Sequence, residues 1–160
     1  MVAFDASSMI HAWDNYPIEN FPPLWGWLAS EIVSRKIVIS QIAYEEVDRK
    51  MPDCGRWLRD NAIQRIQISN DILAEASQIK RLLGIIDDNY HPKGVGENDI
   101  LIISTSKVHN LKLITEEPLQ FDLPGNMSKY KIPAVCGLPE LHVDCIKFIN
   151  FIKESGEVFS

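Results

Sequence analysis

Four acidic residues stand where a chain would place the ligands of a divalent cation: Asp5, Glu46, Asp99 and Glu117. Asp5 ends the apolar run Met1-Val2-Ala3-Phe4, which reads as a buried strand, and Ser7-Ser8 behind it open a helix. Glu46 lies six residues past Ser40, where Ile37-Val38-Ile39 reads as a second strand and Gln41–Lys50 as a helix. Asp99 opens the helical stretch Asp99–Val108, and Glu117 lies just past the strand Leu111–Thr115. Gathered carboxylates repel one another, so a cluster persists where cations neutralise it, and oxygen-only ligands suit Mg²⁺ or Mn²⁺. Ions held there bind phosphate oxygens, lower the pKa of a bound water and stabilise a leaving 3′-oxygen. The chemistry to expect is metal-dependent hydrolysis of phosphodiester bonds.

Each of these residues also has a plainer role open to it. Asp caps helices well, so Asp5 serves the following helix whether or not it binds a metal. Asp99, at a helix start, is favoured by the helix dipole regardless of function. Ser7 and Thr115 are placed to hydrogen-bond the carboxylates and orient them, although Ser7 also fits as a simple helix-start serine. Glu97 and Asp88 are weaker extra candidates, and Lys93, near His91 in the loop before Asp99, fits a phosphate contact or a solvated loop lysine. His11, His91, His109 and His142 show no metal-ligand spacing and read as surface or packed residues.

The elements that must position these groups follow from periodicity and punctuation. Tyr16–Pro23 is a loop with three prolines, and Leu24–Ser34 a helix with an apolar face. Asp53 is the expected N-cap of a helix through Asn61, with a short extended piece at Ile66-Gln67-Ile68. Ser69 or Asn70 caps a helix ending near Gly84, and Asp87–Asn98 is a loop. Beyond Glu117, Tyr130-Lys131-Ile132 reads as an edge strand and Leu141–Lys153 as a helix. Strands alternating with helices predict an α/β fold, a three-layer α/β/α sandwich with a central parallel sheet. Strand ends and helix starts then share one edge, and the carboxylates converge in its crevice.

Four segments in order resemble the PIN-domain family of metal-dependent ribonucleases. They are Phe4-Asp5-Ala6-Ser7-Ser8, Ile39–Val47, Asn98–Ile102 and Leu111–Glu117, so the resemblance runs from residue 2 to about residue 117. It implies a PIN-like fold, Mg²⁺ or Mn²⁺ as cofactor, and an RNA substrate. It also selects Glu46 over Glu45 and Glu117 over Glu116, since adjacent helical residues point about 100° apart. The last family position is usually Asp; Glu117 lengthens that ligand by one methylene. Thr115-Glu116-Glu117-Pro118 and Lys131–Cys136 look more like an uncharacterised prokaryotic PIN-like subfamily. Many small PIN proteins are VapC-type toxins, which implies a co-encoded antitoxin partner and a possible homodimer. The alternatives are a catalytically weak or dead PIN-like binding module and a non-enzymatic metal-binding module. The latter uses Asp-x-Ser-x-Ser, and here the third position is Met9. A haloacid-dehalogenase phosphatase needs Asp-x-Asp, and Ser7 fails that test.

Composition sets the remaining bounds. With 160 residues, 46% hydrophobic and 24% charged, the chain is expected to form a single PIN-like domain over residues 1–160. Cys54, Cys136 and Cys145 are too few and too scattered for a disulfide framework or a zinc site, which fits a reducing cytoplasm. No signal peptide or membrane span is read. A net charge of −6 argues against a broad basic surface for nucleic acid, so any RNA contact must be local. Trp13, Trp25 and Trp27, with Tyr16 and Phe21, form an aromatic cluster; rings about 200° apart on a helix predict one outward face for self-association or a partner.

Overall fold

A computed structural model describes residues 1–160. The chain begins β1 (Val2–Phe4), α1 (Ala6–Asn15), α2 (Pro22–Val33), β2 (Ile37–Ser40), α3 (Gln41–Lys50), α4 (Pro52–Asp60) and β3 (Gln64–Ile66). It continues with α5 (Asn70–Leu82), α6 (Glu97–His109) and β4 (Lys112–Ile114). A 3-10 turn (Met127–Lys129), α7 (Ile132–Cys136), β5 (Cys145–Ile146) and α8 (Phe148–Ser155) complete it. The sheet has five strands in the order β3-β2-β1-β4-β5, and every pair is parallel.

The central strands are mostly apolar because a parallel sheet covered on both faces has little solvent side. Every residue of β2 is buried, as are Ala3, Phe4, Leu113 and Ile114. Helices flank the sheet, giving the α/β/α architecture that the alternation of elements predicts. One cluster of 36 buried residues runs from Ala3 to Phe148 and ties the layers together.

Topology fixes where a ligand site can form. From β1 the chain steps outward to β2 and β3, then crosses to β4 and β5 on the other side. Strand order therefore reverses between β1 and β4, and a crevice opens at their carboxyl ends. Phe4 pairs with Ile39 on one side and Ile114 on the other. The next residues, Asp5, Ser40 and Thr115, thus stand level along one edge. Helix caps begin at that edge too: Asp5 Oδ1 accepts from Ala6 N at 2.8 Å, and Ser40 Oγ accepts from Ala43 N at 3.1 Å.

Four local expectations are corrected. Asp53 is not the N-cap of α4. Met51 holds that position, Pro52 fills the first turn where no N–H partner is needed, and Asp53 pairs with Arg56 at 3.4 Å. The stretch Tyr130–Ile132 is not an edge strand, because Ile132 and Pro133 open α7. The edge strand is instead β5, inside the stretch read as one long helix. Pairing of Leu113 with Cys145 pulls those residues extended, so only α8 remains helical. Helix α6 starts two residues before Asp99, which occupies its third position.

The tryptophans form no outward patch. Trp25 is buried, its ring edge-on to Trp13 at 5.3 Å and to Trp57 at 4.8 Å. Trp27 turns the other way but meets Phe151 at 5.4 Å and Phe159 at 5.5 Å. The C-terminal segment thus covers the ring that the helix turns away from the core. No helix is long and apolar enough to cross a membrane. All three cysteines are free.

Candidate active site

Asp5 is the most constrained group of the site. It is 4% exposed, and its Oδ2 accepts from Ser7 Oγ at 2.7 Å and from Thr115 Oγ1 at 2.8 Å. Those hydroxyls are themselves held. Ser7 Oγ accepts from Glu116 N at 3.0 Å, and Thr115 Oγ1 accepts from Glu117 N at 3.2 Å. The turn after β4 therefore folds over Asp5, and two backbone N–H groups bear on its carboxylate through the hydroxyls. Ser8 fastens the same strand ends from behind, with Oγ 2.8 Å from Asp5 O and 2.7 Å from Ile114 O. Burial raises the Asp5 pKa, the hydroxyl bonds oppose that rise, and the charge of Glu46 adds to it.

Asp99 reaches the same place from α6. Its Oδ2 accepts from Gly96 N at 3.0 Å, the backward half of a capping box. Burial first, then the charges of Asp5, Glu117 and Glu46, raise its pKa from 3.8 to about 6, against the opposing Gly96 bond. Asp99 thus feels the charge of all three other carboxylates. The four line one cleft of about 440 Å³, together with Ser7, Ile10, His11, Asp14, Asn15 and Lys50.

The neighbouring acids face elsewhere. Glu45 is exposed and accepts from Gln41 Nε2 at 2.9 Å. Glu116 Oε1 accepts from Phe148 N at 2.7 Å, at the start of α8. Glu97, Asp88 and Lys93 are exposed and outside the cleft lining. Asp88 lies 3.7 Å from Lys80, and His91 Nδ1 accepts the Lys93 backbone N–H at 3.0 Å. His109 and His142 lie away from the cleft, whereas His11 lines it. His11, Asp14, Asn15 and Lys50 are cleft residues that the sequence reading did not place there. For His11 and Asp14 the signal was helical spacing, since Ser7, Ile10, His11 and Asp14 form one stripe of α1.

Oxygen-only donors of this kind fit Mg²⁺ or Mn²⁺. No three His, Cys, Asp or Glu side chains converge as a ready ligand set, however. Three of the four carboxylates already accept hydrogen bonds, Asp5 from Ala6 N, Ser7 and Thr115, Asp99 from Gly96 N, and Glu46 from Lys50 Nζ at 2.7 Å. The fit therefore lies in donor chemistry and shared location, with water completing the shell as Mg²⁺ prefers. If Ser7 orients Asp5 for such an ion, Ser7→Ala is expected to weaken Mn²⁺ binding and any metal-dependent cleavage together, by about 10–100-fold. Mn²⁺ titration beside an activity assay checks this; an unchanged affinity reduces Ser7 to a helix-start residue.

A five-stranded parallel sheet of this order flanked by helices is a PIN-like fold, and solved structures share it. A chain in the crystal structure of VapBC2 from Rickettsia felis bound to a promoter DNA fragment is 18% identical. The match covers 92% of this chain and 99% of that one, with a TM-score of 0.55. A chain of FitAB bound to an IR36 DNA fragment is 16% identical over 92% and 94%, with a TM-score of 0.51. PAE2754 from Pyrobaculum aerophilum is 10% identical over 98% and 90%, also at 0.51. Residues 2–159 match the family described as "Domain of unknown function (DUF4411)", and the chain belongs to that family. No curated protein matches it.

Proposed function

We propose that this chain is a metal-dependent endoribonuclease of PIN type, acting in the cytoplasm as the toxin of a toxin–antitoxin pair. The observation that carries the nuclease reading is the cleft itself. Asp5, Glu46, Asp99 and Glu117, from four separate segments, line one opening at the strand-order reversal. Hydroxyls of Ser7 and Thr115 fix the innermost of them. The toxin reading rests on the sequence resemblance, and the fold shared with chains of VapBC2 and FitAB is consistent with it.

In this reading the four carboxylates hold Mg²⁺ or Mn²⁺, which when bound supplies charge neutralisation at phosphate and an acidified water. The chain's own groups prepare the site for that. Asp5 is locked in one rotamer by its three hydrogen bonds, so little entropy is lost on ligation. Asp99, with a pKa of about 6, is mostly ionised at neutral pH and would offer a carboxylate to such an ion. Glu117, one methylene longer than the aspartate usual there, closes the cleft from the turn above Asp5 and is the ligand most dependent on substrate. The acidic walls repel RNA until the cation is present, so metal binding precedes productive substrate binding.

The test is incubation of the purified chain with single-stranded and hairpin RNAs in Mg²⁺, in Mn²⁺ and in EDTA. Cleavage with either ion and none in EDTA supports the enzyme. Mn²⁺ binding without cleavage of any RNA leaves a binding module instead. Relief of growth arrest by a neighbouring small gene, on co-expression, tests the antitoxin partner, and light scattering tests the homodimer.

A further inference from the structure

Lys50 is the only lysine or arginine lining the cleft, against five carboxylates there, Asp14 included. It ends α3, where the helix dipole favours a cation, and stands one turn past Glu46. An i,i+4 Glu–Lys pair is common on helix surfaces and stabilises them weakly. This pair differs in that Glu46 is itself one of the carboxylates of the cleft. Lys50 Nζ sits 2.7 Å from Glu46 Oε1, taking a lone pair that an ion would need.

We propose that Lys50 is a tethered stand-in for the divalent cation: it holds Glu46 in the empty cleft and, displaced by the ion, moves to a phosphate of the bound nucleic acid. This rests on reading the cleft as a metal site. The ion pair is easily opened, since the lysine side chain is 54% exposed and Glu46 is 22% exposed. Pairs that open to solvent are weak, so a divalent ion wins the competition. The freed ammonium has a flexible four-carbon stem, three donors and no other partner in the chain. Repulsion from the ion drives it off Glu46, while the remaining carboxylates keep it at the rim. The backbone of a nucleic acid drawn to the ion is the anion within its reach there. Lys50 thereby works in two directions, against premature metal capture and for substrate.

The experiment compares the native chain with Lys50→Met, Lys50→Arg and Asp99→Asn. Mn²⁺ affinity is read by electron paramagnetic resonance, with no RNA and no turnover. Binding of a short phosphorothioate single-stranded RNA in saturating Mn²⁺ is then followed across salt concentration. Lys50→Met is expected to bind Mn²⁺ roughly two- to five-fold more tightly, the scale of a solvent-open ion pair. Lys50→Arg, which grips a carboxylate with two donors, should bind it less tightly than the native chain. In Lys50→Met the salt slope of RNA binding should shrink by about 0.7, the loss of one single-strand phosphate contact. Equal Mn²⁺ affinity in native, Met and Arg chains, with Asp99→Asn impaired, overturns the proposal and leaves the metal site standing. Tighter Mn²⁺ binding with an unchanged salt slope overturns the transfer to phosphate. Failure of every chain to bind Mn²⁺ removes the metal site and the proposal together.

Discussion

Asp99→Asn is expected to lose more than about 100-fold in metal-dependent RNA cleavage, beyond what orienting groups cost, yet to melt at a higher temperature at neutral pH in EDTA. The two effects have one cause. In the folded chain burial and three neighbouring carboxylates raise the Asp99 pKa from 3.8 to about 6. The folded state therefore holds this proton more tightly than the unfolded state does. Its contribution to stability is complete below about pH 3.8 and is lost as pH rises through about 6. Asparagine resembles the protonated acid, still accepts from Gly96 N and cannot ionise. Native and variant chains should melt together near pH 4 and separate above pH 6, with the variant higher. Adding Mn²⁺ at neutral pH should raise the native chain and leave the variant nearly unmoved. Thermal melts across pH, with and without the ion, decide this. A variant that melts below the native chain at neutral pH would falsify the electrostatic account.

The second large effect is expected in the core behind the cleft, where the Phe148 ring lies 6.5 Å from that of His11. Phe148→Ala should lower stability by about 3–5 kcal/mol, the usual cost of truncating a buried phenylalanine. The ring is fully buried, edge-on to Phe4 at 6.0 Å and Tyr16 at 5.5 Å. Its backbone N–H also holds Glu116, keeping that acid out of the cleft. The cost is a large share of the ~5–15 kcal/mol that stabilises an ordinary domain. Urea unfolding should show a lower midpoint with an unchanged slope. Phe151→Ala, at a partly buried ring, should cost less. Equal midpoints for Phe148→Ala and the native chain would mean that the C-terminal helix is only laid against the sheet.

The central sheet was legible because β1, β2 and β4 are apolar runs whose burial is written into consecutive residues. The far edge was not, for a physical reason. Cys145-Ile146 is extended only because Leu113 and Ile114 offer it a ladder, and that partner lies about thirty residues earlier. Local pattern there favours a helix, which α8 still forms three residues later. Pro133 misled in a related way, since a proline that stops a strand is equally at home in the first turn of a helix. The carboxylates were legible one at a time, each from the element it ends or opens. Lys50, His11 and Asp14 were not, because a helical residue outside the core gains meaning only from which helix stands opposite.

Asp5 and Thr115 are hydrogen-bonded across 110 residues of chain. At a synthesis rate of roughly 5–20 residues per second, the first strand waits roughly 5–20 s for that partner to be made. Once β2 is made, β1 has it on one flank and an open edge on the other until β4 follows. Asp99 and Glu117 belong to the later part of the chain, so until it is made the cleft holds only Asp5, Asp14 and Glu46 of its five acids. For a nuclease of the kind proposed, the order of manufacture acts as a safety delay. The message is read past the codon for Thr115 before its product holds any assembled site with which to cut it.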